Sequence, residues 1–173
     1  MRKLVTAAMA AMVVATSLVS CDRAADEVNA ITGQNGTAQK GQCVIKANIA
    51  GNHSTNFQAS NLTSSTNLLN GMIMMTGTRV NGVTVQDWMT IMIPLKTSVG
   101  THRILEGDAT FTYLKGDGAG DNGYVAGADG KTDFTYKITK NSNGEIEGTF
   151  EGAMYNISDK KITLTSGTFS GKY

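Results

Sequence analysis

From Gln42 to Tyr173 the chain alternates apolar with polar residues. The stretch Cys43-Val44-Ile45-Lys46-Ala47-Asn48-Ile49 sets the pattern. Side chains of a strand point to opposite faces with a period of two, so such a stretch has one apolar face and one wet face. Threonine is abundant, glycine-containing turns recur, and no helical period competes. Together these predict an all-β, antiparallel domain. The single proline, Pro94, suits a strand end or an edge, because it cannot donate to a ladder. About eight or nine short strands fit into this length, and a sheet of that size must close into a barrel or pack face to face as a sandwich.

Turn chemistry places several hairpins. Asn81-Gly82 predicts a two-residue type I′ loop. Continuing that register sets Met75 opposite Trp88, Met74 opposite Met89 and Met72 opposite Ile91. Asp129-Gly130 predicts a second such loop, with Val125 opposite Phe134. Ser142-Asn143-Gly144 predicts a three-residue loop with glycine in the left-handed position, which sets Tyr136 opposite Phe150. Ile146, Phe150 and Met154 share one parity, and Glu145, Glu147 and Glu151 the other, so that strand has a core face and a solvated face. Ile162 and Leu164 are even while Phe169 and Tyr173 are odd. A bulge near Ser166-Gly167 would produce that switch.

The N-terminus is of a different kind. Arg2 and Lys3 precede an apolar run from Leu4 to Val19, the layout of a secretory signal. That run is short for a membrane span, which needs about 20 apolar residues. Leu18-Val19-Ser20-Cys21 resembles the lipobox of bacterial lipoproteins. The resemblance implies cleavage before Cys21 and acylation of its thiol, and two or more acyl chains anchor stably. The expected organisation is therefore a lipoprotein signal over residues 1–20, a lipidated Cys21 with a polar, glycine-punctuated tether over 21–41, and a β-domain over 42–173. The expected location is the cell envelope, with the chain held at the outer membrane.

Loss of residues 1–20 leaves 13 basic against 14 acidic residues, a formal charge of −1. Such a chain has no electrostatic case for nucleic acid. With Cys21 acylated, Cys43 is the only other cysteine. It is expected to be a buried, unreactive thiol in its alternating strand.

Little in the sequence points to catalysis. His53 and His102 are the only histidines, and neither has a ligand at metal spacing. No G-x-S-x-G elbow is present. The loop Gly116 to Gly123 offers hard oxygen donors, with Asp117, Asp121 and Asn122 as a candidate calcium set. Ala119 and the missing bidentate Glu argue against it, and no cofactor is expected. The remaining oddity is a methionine-rich hairpin that is apolar on both faces. Met72, Met74, Met75, Trp88, Met89 and Met92 are its candidate ligand-binding residues, because thioethers adapt to irregular apolar partners.

The domain also resembles small β-rich lipoproteins of a Bacteroidota-type family of unknown function. The pieces carrying the likeness are Asn56-Phe57-Gln58-Ala59-Ser60, the apolar strand Trp88 to Leu95 with Gly100 to Leu105, Ile146-Glu147-Gly148-Thr149-Phe150, and Lys161 to Phe169. The resemblance implies a β-sandwich or a lipocalin-like barrel and brings no assigned activity. The expectation is a non-enzymatic, lipid-anchored envelope protein that binds an apolar small ligand in a Met-rich cavity. The alternative is an interaction or structural module that meets a protein or glycan partner through its loops.

Overall fold

A computed structural model describes residues 41–51, 54–59, 64–81, 84–105, 109–116 and 120–173. The signal segment, Cys21 and the tether before Gly41 lie outside the described residues, as do His53, Asp117 and the Gly82-Val83 step. Among the described residues there are eleven strands: β1 Cys43–Gly51, β2 Thr55–Ala59, β3 Ser64–Leu69, β4 Met72–Asn81, β5 Thr84–Pro94, β6 Gly100–Arg103, β7 Thr110–Lys115, β8 Gly123–Val125, β9 Phe134–Ser142, β10 Glu145–Tyr155 and β11 Lys161–Lys172.

All eleven form one antiparallel sheet in the order β2-β1-β11-β10-β8-β7-β5-β4-β3, with β9 paired to β10 and β6 to β9. Segments β8 and β9 lie end to end along the same edge of β10, through Val125 opposite Tyr155 and Phe134 opposite Gly152. Segments β6 and β7 run end to end beside them. Eleven segments thus occupy nine positions around a nearly closed, barrel-like sheet.

At one end of the path β3 meets the start of β1, mostly through side chains. Ser64 Oγ donates to the Cys43 carbonyl, and Thr66 Oγ1 to that of Gln42 at 3.1 Å. The Cys43 thiol donates to Ser65 O at 3.2 Å, and the Thr66 amide to Gly41 O at 2.7 Å. Cys43 is buried and free, as expected, and its thiol belongs to the seam.

The inner face is packed with rings. Phe111 has its centroid 4.9 Å from Phe134 and 5.4 Å from both Tyr136 and Phe150. Phe57 meets Tyr113 edge-on at 6.3 Å. Tilted and edge arrangements at these separations suit the ring quadrupoles.

Several local expectations hold. Pro94 ends β5. Ile146, Phe150 and Met154 are buried while Glu147 and Glu151 are exposed. The parity switch of β11 is a bulge, with Lys46 opposite Thr168 but Asn48 opposite Thr165, and Ser166 at φ 53°. Tyr136 does face Phe150. It gets there differently, because Ser142 pairs with Glu145 around a two-residue Asn143-Gly144 loop. A bulge between Glu147 and Gly148 then restores the register.

Two pairings differ from the expected ones. In the β4–β5 hairpin Asn81 faces Thr84, and a bulge follows between Arg79 and Val80. Beyond it Met75 faces Ile91, Met74 faces Met92, Met72 faces Pro94, and Trp88 faces Thr78. The slip from the expected register is odd, so it regroups the faces instead of merely sliding them. Asp129 and Gly130 do form a tight turn, with φ of 53° and 77°. The segments flanking it do not pair with each other, since each pairs with β10 instead.

Candidate functional site

The six residues of the methionine-rich hairpin are not brought to one place. Met75 and Met89 point inward and are 0% and 1% exposed. Met72, Met74, Trp88 and Met92 stand half-buried on the outer face. The barrel wall separates the two groups. The expected Met75–Trp88 contact is replaced by Met75 beside Ile91 inside and Trp88 beside Thr78 outside. Two surface depressions, of about 170 and 340 Å³, lie elsewhere, and neither is lined by any of the six. The larger runs over β6, β9, β10 and β11 past Thr101, Tyr136, Lys137, Phe150, Glu151 and Thr168.

Of the candidate calcium residues, Asp121 and Asn122 lie within the described residues. The Asp121 carboxylate accepts from Ser158 Oγ and Lys160 Nζ, both at 2.5 Å. Those two bonds, that of Lys160 foremost, hold its carboxyl below the usual range. Its carbonyl accepts from the buried Asn156 Nδ2 at 2.8 Å. Asn156 Oδ1 in turn accepts the Ser158 and Lys160 amides at 3.0 and 2.8 Å. Asp121 therefore ties the short turn before β8 to the β10–β11 connection. Asn122 is exposed. Among the described residues no group of three or more His, Cys, Asp and Glu side chains converges. His102 stacks on Tyr136 at 5.1 Å, and its Nε2 lies 2.9 Å from Ser98 O.

One cluster escaped the sequence reading. Asp87 faces inward on β5 and is 2% exposed. Arg79, opposite it on β4, reaches its carboxylate with Nε at 2.6 Å and also with a terminal nitrogen. Tyr113 on β7 donates its phenol to the same carboxylate. Such a charge is tolerable in a barrel only when paired and hydrogen-bonded. The Arg79–Asp87 spacing across the hairpin is its only signal in the sequence, and that signal depends on the register.

Burial, then the negative charge of Asp87 and the bond to it, push the Tyr113 phenol far above its ordinary 10.0. Burial also raises the Cys43 thiol above 9.0, against smaller lowering by its hydrogen bonds to the seam. Both groups then keep protons in the folded state that the unfolded chain releases. Neither group alters stability well below pH 9, and both lower it as pH rises through 9 and 10. For the strongly shifted Tyr113 the slope approaches about 1.4 kcal/mol per pH unit, and Cys43 adds to it in the same direction. Urea midpoints measured from pH 8 to 11 should show this decline, and Tyr113→Phe should flatten the part above pH 10. An unchanged slope in that variant would remove Tyr113 from the account.

No protein-family model, no curated protein and no solved structure matches this chain.

Proposed function

We propose that the chain is a lipid-anchored, non-enzymatic protein of the bacterial cell envelope that acts as an interaction module through its exterior. It belongs, on this reading, with the Bacteroidota-type β-rich lipoproteins that its sequence resembles. Cys21 in its lipobox-like context supplies the anchor and the location at the outer membrane. The observation that favours an exterior role is the interior itself. Rings spaced 4.9–6.3 Å apart fill it, and Met75 and Met89 are part of that packing. An apolar carrier needs an open pocket of several hundred Å³. The openings lie on the surface instead: a groove of about 340 Å³ over β6 and β9–β11, lined by Thr, Lys and Glu side chains together with Tyr136 and Phe150, and loops tied down by Asn156 and Asp121.

The second reading keeps an apolar ligand but moves it outside, onto Met72, Met74, Trp88 and Met92. All four are half-buried; Met74 faces Met92 with Met72 next along β4, and Trp88 lies beyond the intervening Thr76–Thr90 pair. Titration of the mature chain with a fluorescent apolar probe separates the two. The module reading predicts no saturable binding. Saturable binding that vanishes in Met74→Glu would favour the outer ligand site. For the anchor, labelled fatty acid should enter the wild type and be absent from Cys21→Ser. Label retained in that variant would overturn the lipobox assignment.

A further inference from the structure

We propose that the end of the barrel at which the chain enters is its membrane-contacting surface, with Leu68, Leu69 and Val99 seated in the lipid interface. This rests on the lipid anchor proposed above. Gly41 is the first described residue, and it is fixed at this end. Its amide donates to Lys172 O at 3.1 Å, and its carbonyl accepts the Thr66 amide at 2.7 Å.

The same end is held by a belt of hydrogen bonds. Tyr173 N–H donates to Gly144 O at 2.8 Å, and its hydroxyl to Asn141 Oδ1 at 3.0 Å. Asn141 Nδ2 donates to Leu95 O and Thr97 O, each at 2.9 Å. Leu95 N–H donates to Gly71 O at 2.8 Å. The rim is therefore preorganised and does not have to be ordered on contact.

Out of this rim stand Leu68, Leu69 and Val99, which are 50%, 48% and 62% exposed. Lys96 beside them is exposed, and Glu145 is held between Lys140 and Lys172. Apolar side chains with lysines around them fit an interface of acyl chains and anionic headgroups. The far end also exposes apolar residues: Val80 and Val85 at the β4–β5 turn, Leu105 and Ile157. There acids and bases are closely matched: Asp121, Asp133 and Asp159 lie among Lys131, Lys160 and the exposed Lys115 and Lys161, with Lys131 paired to Asp159 and Lys160 to Asp121.

The length of chain outside the structure selects the occupant. About 20 residues separate Cys21 from Gly41, and a flexible chain of that length spans roughly 25 Å. Strands of about ten residues make the barrel roughly 30 Å long. The acylated end therefore keeps the entry rim at the bilayer more often than the far end.

The test uses the full lipidated chain in vesicles of phosphatidylethanolamine and phosphatidylglycerol with brominated acyl chains. Val99→Cys and Ile157→Cys each carry a fluorophore, and the buried Cys43 thiol stays unlabelled. The bromines should quench the probe at position 99 by about twofold or more and leave that at 157 unchanged. Equal quenching at both sites, at neither, or at 157 alone overturns the orientation. Leu68→Asp with Leu69→Asp should abolish quenching at 99 while vesicle flotation persists through the lipid, and undiminished quenching would refute the role of these leucines. The two wild-type-background probes decide the orientation even if that variant does not fold. Flotation is scored separately against Cys21→Ser. Equal flotation of the two overturns the anchor, and the orientation with it. Flotation without quenching at 99 overturns the orientation alone and points to a protein partner at the rim.

Discussion

Gly152→Val is expected to lower the unfolding free energy by about 3 kcal/mol or more, the combined cost of strained backbone and overpacking. Gly152 has φ of 130°, a region that side chains rarely adopt. A Cβ there would lie 2.2 Å from Asp133 O and 2.5 Å from Phe134 Cα. Both are backbone atoms with little freedom to retreat. The Asp133 carbonyl accepts the Ala153 amide at 2.9 Å, and Phe134 begins β9 opposite Gly152 itself. The same residue sits at the bulge between β10 and β11. A side chain there would therefore strain the point where three segments meet.

Domains of this size are stable by about 5–15 kcal/mol, so the loss is a large share of the total. With a urea dependence of about 1–3 kcal/mol per M, the midpoint should fall by roughly 1 M or more. Gly71→Ala is the control. Its φ is 78°, but nothing lies within 4 Å of the added Cβ. It should cost about 1 kcal/mol, the penalty of a left-handed residue alone. A Gly152→Val midpoint no lower than that of Gly71→Ala would contradict the crowding argument.

Arg79→Met should cost about 3 kcal/mol by leaving the Asp87 carboxylate buried without its cation. Tyr113 would remain as a donor, and a neutral hydroxyl does not offset a buried charge. The reverse change differs. Asp87→Leu leaves an arginine whose side chain is 35% exposed and can turn to water, so it should cost less than Arg79→Met. Combining Arg79→Met with Asp87→Leu should recover part of the loss, because an apolar pair avoids desolvating either charge. The Tyr113 hydroxyl, deprived of its acceptor, limits that recovery. Urea unfolding of the three variants checks the order. A double variant that loses the full sum of the single effects would show that the pair is not coupled.

Much of the architecture was legible because it depends on near neighbours. The alternation in Cys43 to Ile49 put Cys43, Ile45, Ala47 and Ile49 inside. Asn143-Gly144 and Asp129-Gly130 turn where their left-handed tolerance allows. The switch at Ser166 was visible as a change of parity. Other features depended on sequence-distant partners. The β4–β5 register passes through a bulge at Arg79 that no turn rule announces. An odd slip there sent Met75 inward with Met89 and put Trp88 on the outer face. The candidate ligand site dissolved for that reason, and the Arg79–Asp87–Tyr113 cluster appeared for the same one.

The sequence alone determined the strand class, the inward-facing side chains of β1, β10 and β11, the lipobox-like Cys21 context and the sites where the chain can turn. These follow from side-chain periodicity, backbone stereochemistry and short motifs, each readable over a few residues. Only the tertiary structure decided that β8 and β9 join β10 end to end and that side-chain hydrogen bonds of Cys43, Ser64 and Thr66 join β3 to the start of β1. It also divided the methionines between the inner and outer faces of the hairpin. A strand offers the same donors and acceptors at every register, so its partner is chosen by long-range packing of the whole barrel.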